Sequence, residues 1–188
     1  MYIERLVIDS NNGVIRNLEF KKGMNLIIDD TPSDDKKKTG NNVGKTTTLK
    51  LIYYCLGGDE GGIYKDEENK KEKYVEVEEY LKSNNVRIKL TLIEDIGNSK
   101  SKKIEIERGF CEKREKAKIN GREIDKQDFV EELSREVFPT IQLERPTFKQ
   151  IISHNIRYKE NSISKTLKTL DQHTTDVVYE HLYLFLLG

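Results

Sequence analysis

The residues of this chain best suited to chemistry lie at positions 40–47, in the run Gly-Asn-Asn-Val-Gly-Lys-Thr-Thr. Backbone N–H groups and the dipole at the start of a helix favour a bound anion. Gly44 lets the backbone approach phosphates closely, and Lys45 can reach β- and γ-phosphates. Thr46 can ligate Mg²⁺, and Thr47 can donate to the α-phosphate side. The predicted phosphate-binding residues are Asn41, Asn42, Val43, Gly44, Lys45, Thr46 and Thr47, and Thr46 among them is the predicted Mg²⁺ ligand.

Such a loop needs a strand before it and a helix after it. Met24–Ile28 is a continuous apolar run, typical of a strand buried on both faces. From Thr46 onward, apolar residues recur at three- and four-residue spacing as far as Gly57-Gly58, which predicts a helix and its end. The usual loop has its first glycine at the position of Thr39, whereas this chain has Gly40. A chance Gly-Lys-Thr in a lysine-rich chain is the alternative, and the surrounding elements argue against it.

The remaining patterns predict a single domain, 1–188, of α/β class with α+β character. It combines a mixed core sheet, an antiparallel meander and flanking helices. Met1–Ile8 and Val14–Phe20 form a predicted hairpin. Four runs alternate with period two and predict the meander: Tyr74–Tyr80, Val86–Ile93, Lys103–Arg108 and Lys116–Ile119. Polar loops are expected at 29–39 and 59–73, and helices at Asp125–Phe138, Phe148–Ile156 and Thr175–Leu187.

Composition excludes several classes of protein. The chain has 188 residues, with 33 basic and 33 acidic side chains, so it is not a strongly basic nucleic-acid binder. The apolar run Leu182–Leu187 is far shorter than the ~20 residues that span a membrane, and the first residues do not predict a signal peptide. Cys55 and Cys111 lack metal-ligand spacing. We therefore expect a reduced, cytoplasmic protein without a membrane partner.

Other candidate sites have ordinary explanations. Leu90–Asp95 imitates the apolar run ending in acids that marks a second nucleotide strand, but its alternation favours a half-exposed meander strand. The histidines 154, 173 and 181 lack ligand-like neighbours, so surface or core positions are favoured over a metal site. Lys36–Lys38 and Lys70–Lys73 are interpreted as solvated loop. A local contact with a DNA backbone is the alternative for these two lysine runs.

The order of these elements resembles a known family. The hairpin, Gly23–Ile28, the stretch NNVGKTTTLKLIYYCLGG at 41–58, Ile119–Ile124 and Pro146–Ile152 resemble the N-terminal lobe of SMC-, RecF- and RecN-like ATPase heads. These are ABC-type ATPases whose nucleotide head is split by a long coiled coil. The chain is similar to a bacterial branch with a polar insertion before the phosphate loop, in which the first loop glycine is often missing.

The resemblance implies ATP and Mg²⁺ as cofactors, a C-terminal lobe and a second head as partners, and action on DNA in repair, chromosome organisation or defence. Its glutamine-bearing loop corresponds to 154–159, which holds no glutamine, so Asn155 and Arg157 are candidates to replace it near the metal. The family's signature motif and acidic pair do not occur in this sequence. We therefore expect an N-terminal half-head, with 175–188 leading towards a coiled coil, which binds ATP but hardly hydrolyses it.

Two alternatives belong to other classes of protein. A complete small P-loop kinase or NTPase would carry the same loop, but usually after its first strand and within alternating parallel strands and helices. A non-catalytic interaction module could retain the loop as a vestige. The intact Lys45-Thr46-Thr47 triplet argues against the vestigial interpretation.

Overall fold

The computed structural model describes residues 1–28, 44–65, 73–110, 117–140, 145–170 and 173–188. These residues form six strands and seven helical segments. The strands are β1 (Tyr2–Ser10), β2 (Gly13–Glu19), β3 (Arg87–Ile93), β4 (Lys103–Gly109), β5 (Ala117–Ile119) and β6 (Arg122–Ile124). The helices are α1 (Lys45–Cys55), α2 (Gly61–Tyr64), α3 (Val75–Ser83), α4 (Phe129–Val137), α5 (Phe148–Asn155), α6 (Glu160–Ile163) and α7 (Asp176–Leu187).

The strands form one sheet in the order β2-β1-β3-β4-β5-β6, and each of these neighbouring pairs is antiparallel. Leu90 of β3 lies opposite Leu6 of β1 on one side and Ile106 of β4 on the other. Successive side chains of a strand point to opposite faces, so this register places apolar side chains of three strands on one face. The expected α/β class, with an antiparallel meander and flanking helices, is confirmed. The expected mixed core sheet is not found among the described residues, because all of their strand pairs are antiparallel.

Helices α1, α4 and α5 cover the apolar face. Leu51 of α1, Leu133 of α4 and Phe148 of α5 belong to the same buried cluster as Leu6 and Leu90. Burying a large apolar side chain contributes roughly 1.5–3 kcal/mol, so this cluster determines where α1 lies on the sheet. The amino end of α1 carries the predicted phosphate-binding residues.

The opposite face carries a ladder of ion pairs. The Asp9 carboxylate lies 3.0 Å from Arg87 Nε and 2.9 Å from Lys89 Nζ. The Glu107 carboxylate lies 3.8 Å from Lys89 Nζ and 3.5 Å from Lys118 Nζ. The basic partners are half exposed, so each pair contributes little to stability. The two signs of charge alternate across this face, in keeping with the zero net charge.

The hairpin turn predicted at Asn120-Gly121 is confirmed. Both residues have positive φ, 51° and 77°, as a two-residue type I′ turn requires. Asn120 also ties the turn to β4, because its N–H donates to the Glu105 carbonyl at 2.8 Å and its Oδ1 accepts the Glu105 N–H at 2.9 Å. The predicted strands at 86–93 and 103–108 and helices at 148–156 and 175–187 agree to within one residue at each end, whereas α4 begins four residues after Asp125.

The strand predicted at Tyr74–Tyr80 is wrong, because Val75–Ser83 is helix α3. The alternation of Val75 and Val77 imitates a strand, but the Glu, Leu and Lys residues around them favour a helix. Glu78 accepts a hydrogen bond from Lys82 at 2.6 Å, one helical turn later. In addition, both edges of β3 are already paired, with β1 and β4.

The strand predicted at Met24–Ile28 is also wrong. The segment has no strand geometry, and Met24, Leu26 and Ile28 are 86%, 76% and 70% exposed. Asn25 shapes it as a loop, because its amide accepts from the Lys21 N–H and donates to the Lys21 carbonyl. An apolar run becomes a buried strand only when neighbouring strands and two covering layers are present, and the described residues supply neither here.

The predicted polar loop 59–73 contains one helical turn, α2. Asp59 Oδ1 accepts the Gly61 N–H at 2.6 Å, which starts this turn. Residues 66–72 lie outside the described residues. The predicted loop 29–39, with its lysine run at 36–38, also lies outside them. Among the described helices, none is long and apolar enough to cross a membrane.

Helix α5 begins with a capping box that sequence reasoning did not anticipate. The Thr147 hydroxyl accepts the Gln150 N–H at 3.3 Å, and the Gln150 side chain accepts the Thr147 N–H at 2.8 Å. We predict that Thr147→Ala lowers the free energy of unfolding by about 1 kcal/mol, the usual loss for a cap of this type. Urea unfolding followed by circular dichroism measures it.

The matched control is Thr175→Ala. Thr175 precedes α7 in the same extended conformation, but its side chain forms no cap bond with the described chain. Its removal should change stability by less than about 0.5 kcal/mol. Equal losses in the two variants would show that the capping box contributes nothing specific.

Candidate phosphate-binding site

Four of the seven predicted phosphate-binding residues are described. Gly44, Lys45, Thr46 and Thr47 lie at the amino end of α1. Asn41, Asn42 and Val43 lie outside the described residues, as do Thr39 and Gly40.

Gly44 forms the junction between the loop and α1. It has φ 74° and ψ 22°, a left-handed conformation that glycine adopts without strain. Its carbonyl accepts both the Thr48 N–H and the Thr48 hydroxyl at 3.0 Å, and this closes the first turn. A side chain at position 44 would be strained at this φ even though space is available, with the nearest atom 4.0 Å from a built Cβ.

The first turn of α1 is rich in donors. In an α-helix each N–H bonds to the carbonyl four residues earlier. For Lys45, Thr46 and Thr47 that carbonyl lies before α1, so their N–H groups have no partner within the helix. The side chains of these three residues are exposed, and the turn contains no acidic residue. Three amides, one ammonium and two hydroxyls therefore lie at the positive end of the helix dipole, an arrangement suited to a polyphosphate.

Packing holds the rest of α1 firmly. Thr48, Leu51, Ile52, Tyr54 and Cys55 are buried against the sheet. Cys55 is a buried thiol and serves as a core residue, as the apolar pattern around it predicted. The amino-terminal turn is thus the exposed end of an otherwise anchored helix.

The segment after α5 returns to α1. The Tyr158 ring lies 5.6 Å from that of Tyr53, and Lys50 Nζ lies 5.9 Å from the Tyr158 centroid. The Tyr53 hydroxyl and Ser153 Oγ are 3.1 Å apart. Sequence reasoning missed these contacts, because about 100 residues separate Tyr53 from its partners and neither tyrosine lies in a recognisable motif.

Asn155 and Arg157, the candidates for the glutamine-like position, serve α5 itself. Asn155 Nδ2 donates to the Ile151 carbonyl at 2.8 Å, and Arg157 Nε donates to the His154 carbonyl at 3.1 Å. Both side chains thus close the last turn of α5. The segment that follows α5 contacts α1 through the Tyr158 ring, whereas the side chains of Asn155 and Arg157 bond to carbonyls of α5 itself.

The acidic end of Leu90–Asp95 shapes a turn. The Asp95 carboxylate accepts the Gly97 N–H at 3.0 Å, within the connection from β3 to β4. The run itself is the central strand of the meander, with Leu90 buried and Thr91 partly exposed. The half-exposed meander strand is therefore the correct interpretation.

His154 is a core histidine. Its Nδ1 lies 2.7 Å from Thr169 Oγ1, and its ring meets Tyr183 edge-on with centroids 5.7 Å apart. Burial, followed by the charge of Arg157, lowers the pKa of His154 below its ordinary value of 6.5. Within the described residues, the His, Cys, Asp and Glu side chains form no group of three that could hold a metal ion.

The pKa of His154 predicts a pH dependence of stability. The unfolded chain takes up a proton as the pH falls through about 6.5, whereas folded His154 stays neutral until a lower pH. The free energy of unfolding should therefore fall from pH 6.5 downward, until folded His154 also titrates. Urea unfolding at several pH values should show a shallower fall in His154→Asn. His181→Asn, which changes an exposed histidine, is the control, and equal slopes in wild type and His154→Asn would contradict the prediction.

No family model matches this chain, and no curated protein matches it significantly. A solved structure described as "Structural biochemistry of ATP-driven dimerization and DNA stimulated activation of SMC ATPases" is similar to it, with 19% sequence identity and a TM-score of 0.44. The similarity covers 73% of this chain and 80% of that chain.

Proposed function

We propose that this chain binds ATP with Mg²⁺ at the amino end of α1. The observation that carries the proposal is the first turn of α1. Gly44 enters it in a left-handed conformation, and the amides of the first three helical residues follow, with the Lys45 side chain exposed beside them. The carboxyl half of the helix is buried in the core, so the donors are held in place before a ligand arrives, which reduces the cost of binding.

Each residue has a distinct part in the proposed site. The Lys45 ammonium binds the β- and γ-phosphates, and the Thr47 hydroxyl donates towards the α-phosphate. The exposed Thr46 hydroxyl supplies the oxygen ligand that Mg²⁺ prefers, and Mg²⁺ neutralises phosphate charge when bound. Asn41, Asn42 and Val43 complete the loop. These groups bind and orient the triphosphate, and none of them is a general base.

A calorimetric titration with ATP, ADP and AMP, each with and without Mg²⁺, tests the proposal. A site built from amides and one lysine recognises phosphates, so affinity should fall from ATP to ADP to AMP. Mg²⁺ should strengthen the binding of ATP. Equal affinities for ATP and AMP would refute a phosphate-binding site at α1.

We further propose that the chain is the N-terminal lobe of an SMC- or RecN-like ATPase. A C-terminal lobe and a second head would complete its site and permit hydrolysis that acts on DNA. The exposed apolar side chains Met24, Leu26 and Ile28 support a covering lobe, and the exposed Leu184 and Leu187 support continuation of α7 into a coiled coil. The antiparallel sheet argues against a small kinase, whose strands would be parallel. ATP turnover by this chain alone, well above background, would contradict the half-site proposal.

A further inference from the structure

Arg108 of β4 is a buried cation whose negative partner is a helix end. It is 6% exposed, and none of the described carboxylates pairs with it. Its Nη1 donates to the carbonyls of Tyr54, at 2.6 Å, and Gly58, at 3.1 Å. These carbonyls lie at the carboxyl end of α1, where the helix dipole favours positive charge. Helix α1 has no basic residue in its own last turn, so Arg108 supplies that charge from the sheet.

The same arginine lies where three elements meet. Its guanidinium stacks 3.8 Å from the centroid of the Tyr54 ring and lies 5.1 Å from that of Phe129, the first residue of α4. Tyr54 is bonded to β4 in return, because its hydroxyl donates to the Gly109 carbonyl at 2.9 Å and its ring stacks on Phe110. The carboxyl end of α1 is thus fastened to β4 and α4 by reciprocal bonds.

We infer that Arg108 is a positioning residue for the phosphate site at the other end of α1. This inference rests on the proposed function. An 11-residue helix is about 16 Å long, so a tilt of about 5° at its carboxyl end moves the amides of Gly44–Thr47 by roughly 1.4 Å. Misplacement of that size markedly weakens contacts that depend on geometry. By fixing the carboxyl end of α1, Arg108 sets the orientation of the N–H donors at its amino end.

The pattern of hydrogen bonds predicts which substitutions retain this role. Nη1 makes both carbonyl bonds, whereas Nε, also buried, has no hydrogen-bond partner among the described residues. A lysine ammonium can supply the charge and donors to the carbonyls of Tyr54 and Gly58, but it gives up the stacking of the guanidinium on the Tyr54 ring. Arg108→Lys should therefore preserve part of the function. Arg108→Met keeps the apolar stem of the side chain but removes both hydrogen bonds and the charge. It should therefore not preserve the function.

The experiment measures two quantities on the full chain. Calorimetry with Mg·ATP gives the dissociation constant and, separately, the fraction of molecules able to bind. Amide hydrogen exchange without nucleotide compares the Thr48 N–H, which bonds to Gly44, with the Leu90 N–H in the sheet. We expect Arg108→Met to raise the dissociation constant about tenfold and to speed exchange at Thr48 more than at Leu90. Arg108→Lys should give values of both between those of Arg108→Met and wild type, and Arg135→Met, at an exposed arginine of α4, should alter neither.

A purely structural arginine gives a different result. Arg108→Met would then lower the competent fraction at an unchanged dissociation constant and speed exchange uniformly, which would overturn the inference. Should Arg108→Met fail to fold, Arg108→Gln replaces it, because it also removes the charge and shortens the side chain that reaches the two carbonyls, and unchanged exchange and affinity in that variant overturn the inference. Should wild type fail to bind any nucleotide, the proposed function falls, and exchange at Thr48 in ligand-free protein still decides whether Arg108 positions α1.

Discussion

Lys45→Ala should lower the affinity for Mg·ATP by about 100-fold, equivalent to about 2.7 kcal/mol. A hydrogen bond to a charged group contributes roughly 1.5–3 kcal/mol, and the Lys45 ammonium would bond to two charged phosphates. Its side chain is exposed at the first turn of α1, so its removal should leave folding intact. Calorimetric titration of both proteins with Mg·ATP measures the effect, and circular dichroism checks the fold.

Lys50→Ala is the matched control. Lys50 lies on the same helix and has the same charge, but its ammonium sits over the Tyr158 ring. A surface cation away from the phosphates adds only a screened attraction, so affinity should change by less than about threefold. Equal losses in the two variants would indicate non-specific attraction to charge. Equal affinities of wild type and Lys45→Ala for Mg·ATP would contradict the assignment of Lys45 to a phosphate-binding site.

Leu90→Ala should lower the free energy of unfolding by about 3 kcal/mol. Leu90 is fully buried in the central strand β3, between Leu6 and Ile106. Truncating a buried leucine to alanine costs about 2–5 kcal/mol through lost burial and the cavity left behind. Urea unfolding followed by circular dichroism measures the loss.

Leu26→Ala makes the comparison informative. Leu26 lies in the run that the apolar pattern predicts to be a buried strand, yet it is 76% exposed. An exposed leucine loses little on truncation, so stability should change by less than about 0.5 kcal/mol. A loss close to that of Leu90→Ala would mean that residues 24–28 are buried in the folded chain.

Signals that act within a few residues were sufficient for part of the fold. The Asn120-Gly121 turn follows from two residues that tolerate positive φ. Helix α1 follows from apolar spacing and from the Gly57-Gly58 stop. The Gly-Lys-Thr-Thr motif is found at the amino end of that helix for the same local reason, since a helix start supplies the amides such a motif uses.

Patterns that depend on neighbours were ambiguous. Val75 and Val77 alternate as in a strand, yet α3 forms because β3 already has partners on both edges. Met24–Ile28 has a strand-like composition, but it pairs with none of the described strands. Alternation and apolar composition indicate which side chains a segment could bury. Whether it buries them depends on a neighbouring strand or helix in the fold.

The sequence alone therefore supplied the motif on which the proposed chemistry rests: Gly44, Lys45 and the two threonine hydroxyls, together with the helix that follows. The tertiary structure alone decided what supports that chemistry. It places Tyr158 against Tyr53 and Arg108 against the carboxyl end of α1. Both contacts join residues more than 50 positions apart. Contacts at such separations arise from the register of the sheet and the packing of helices upon it, and local sequence carries no trace of either.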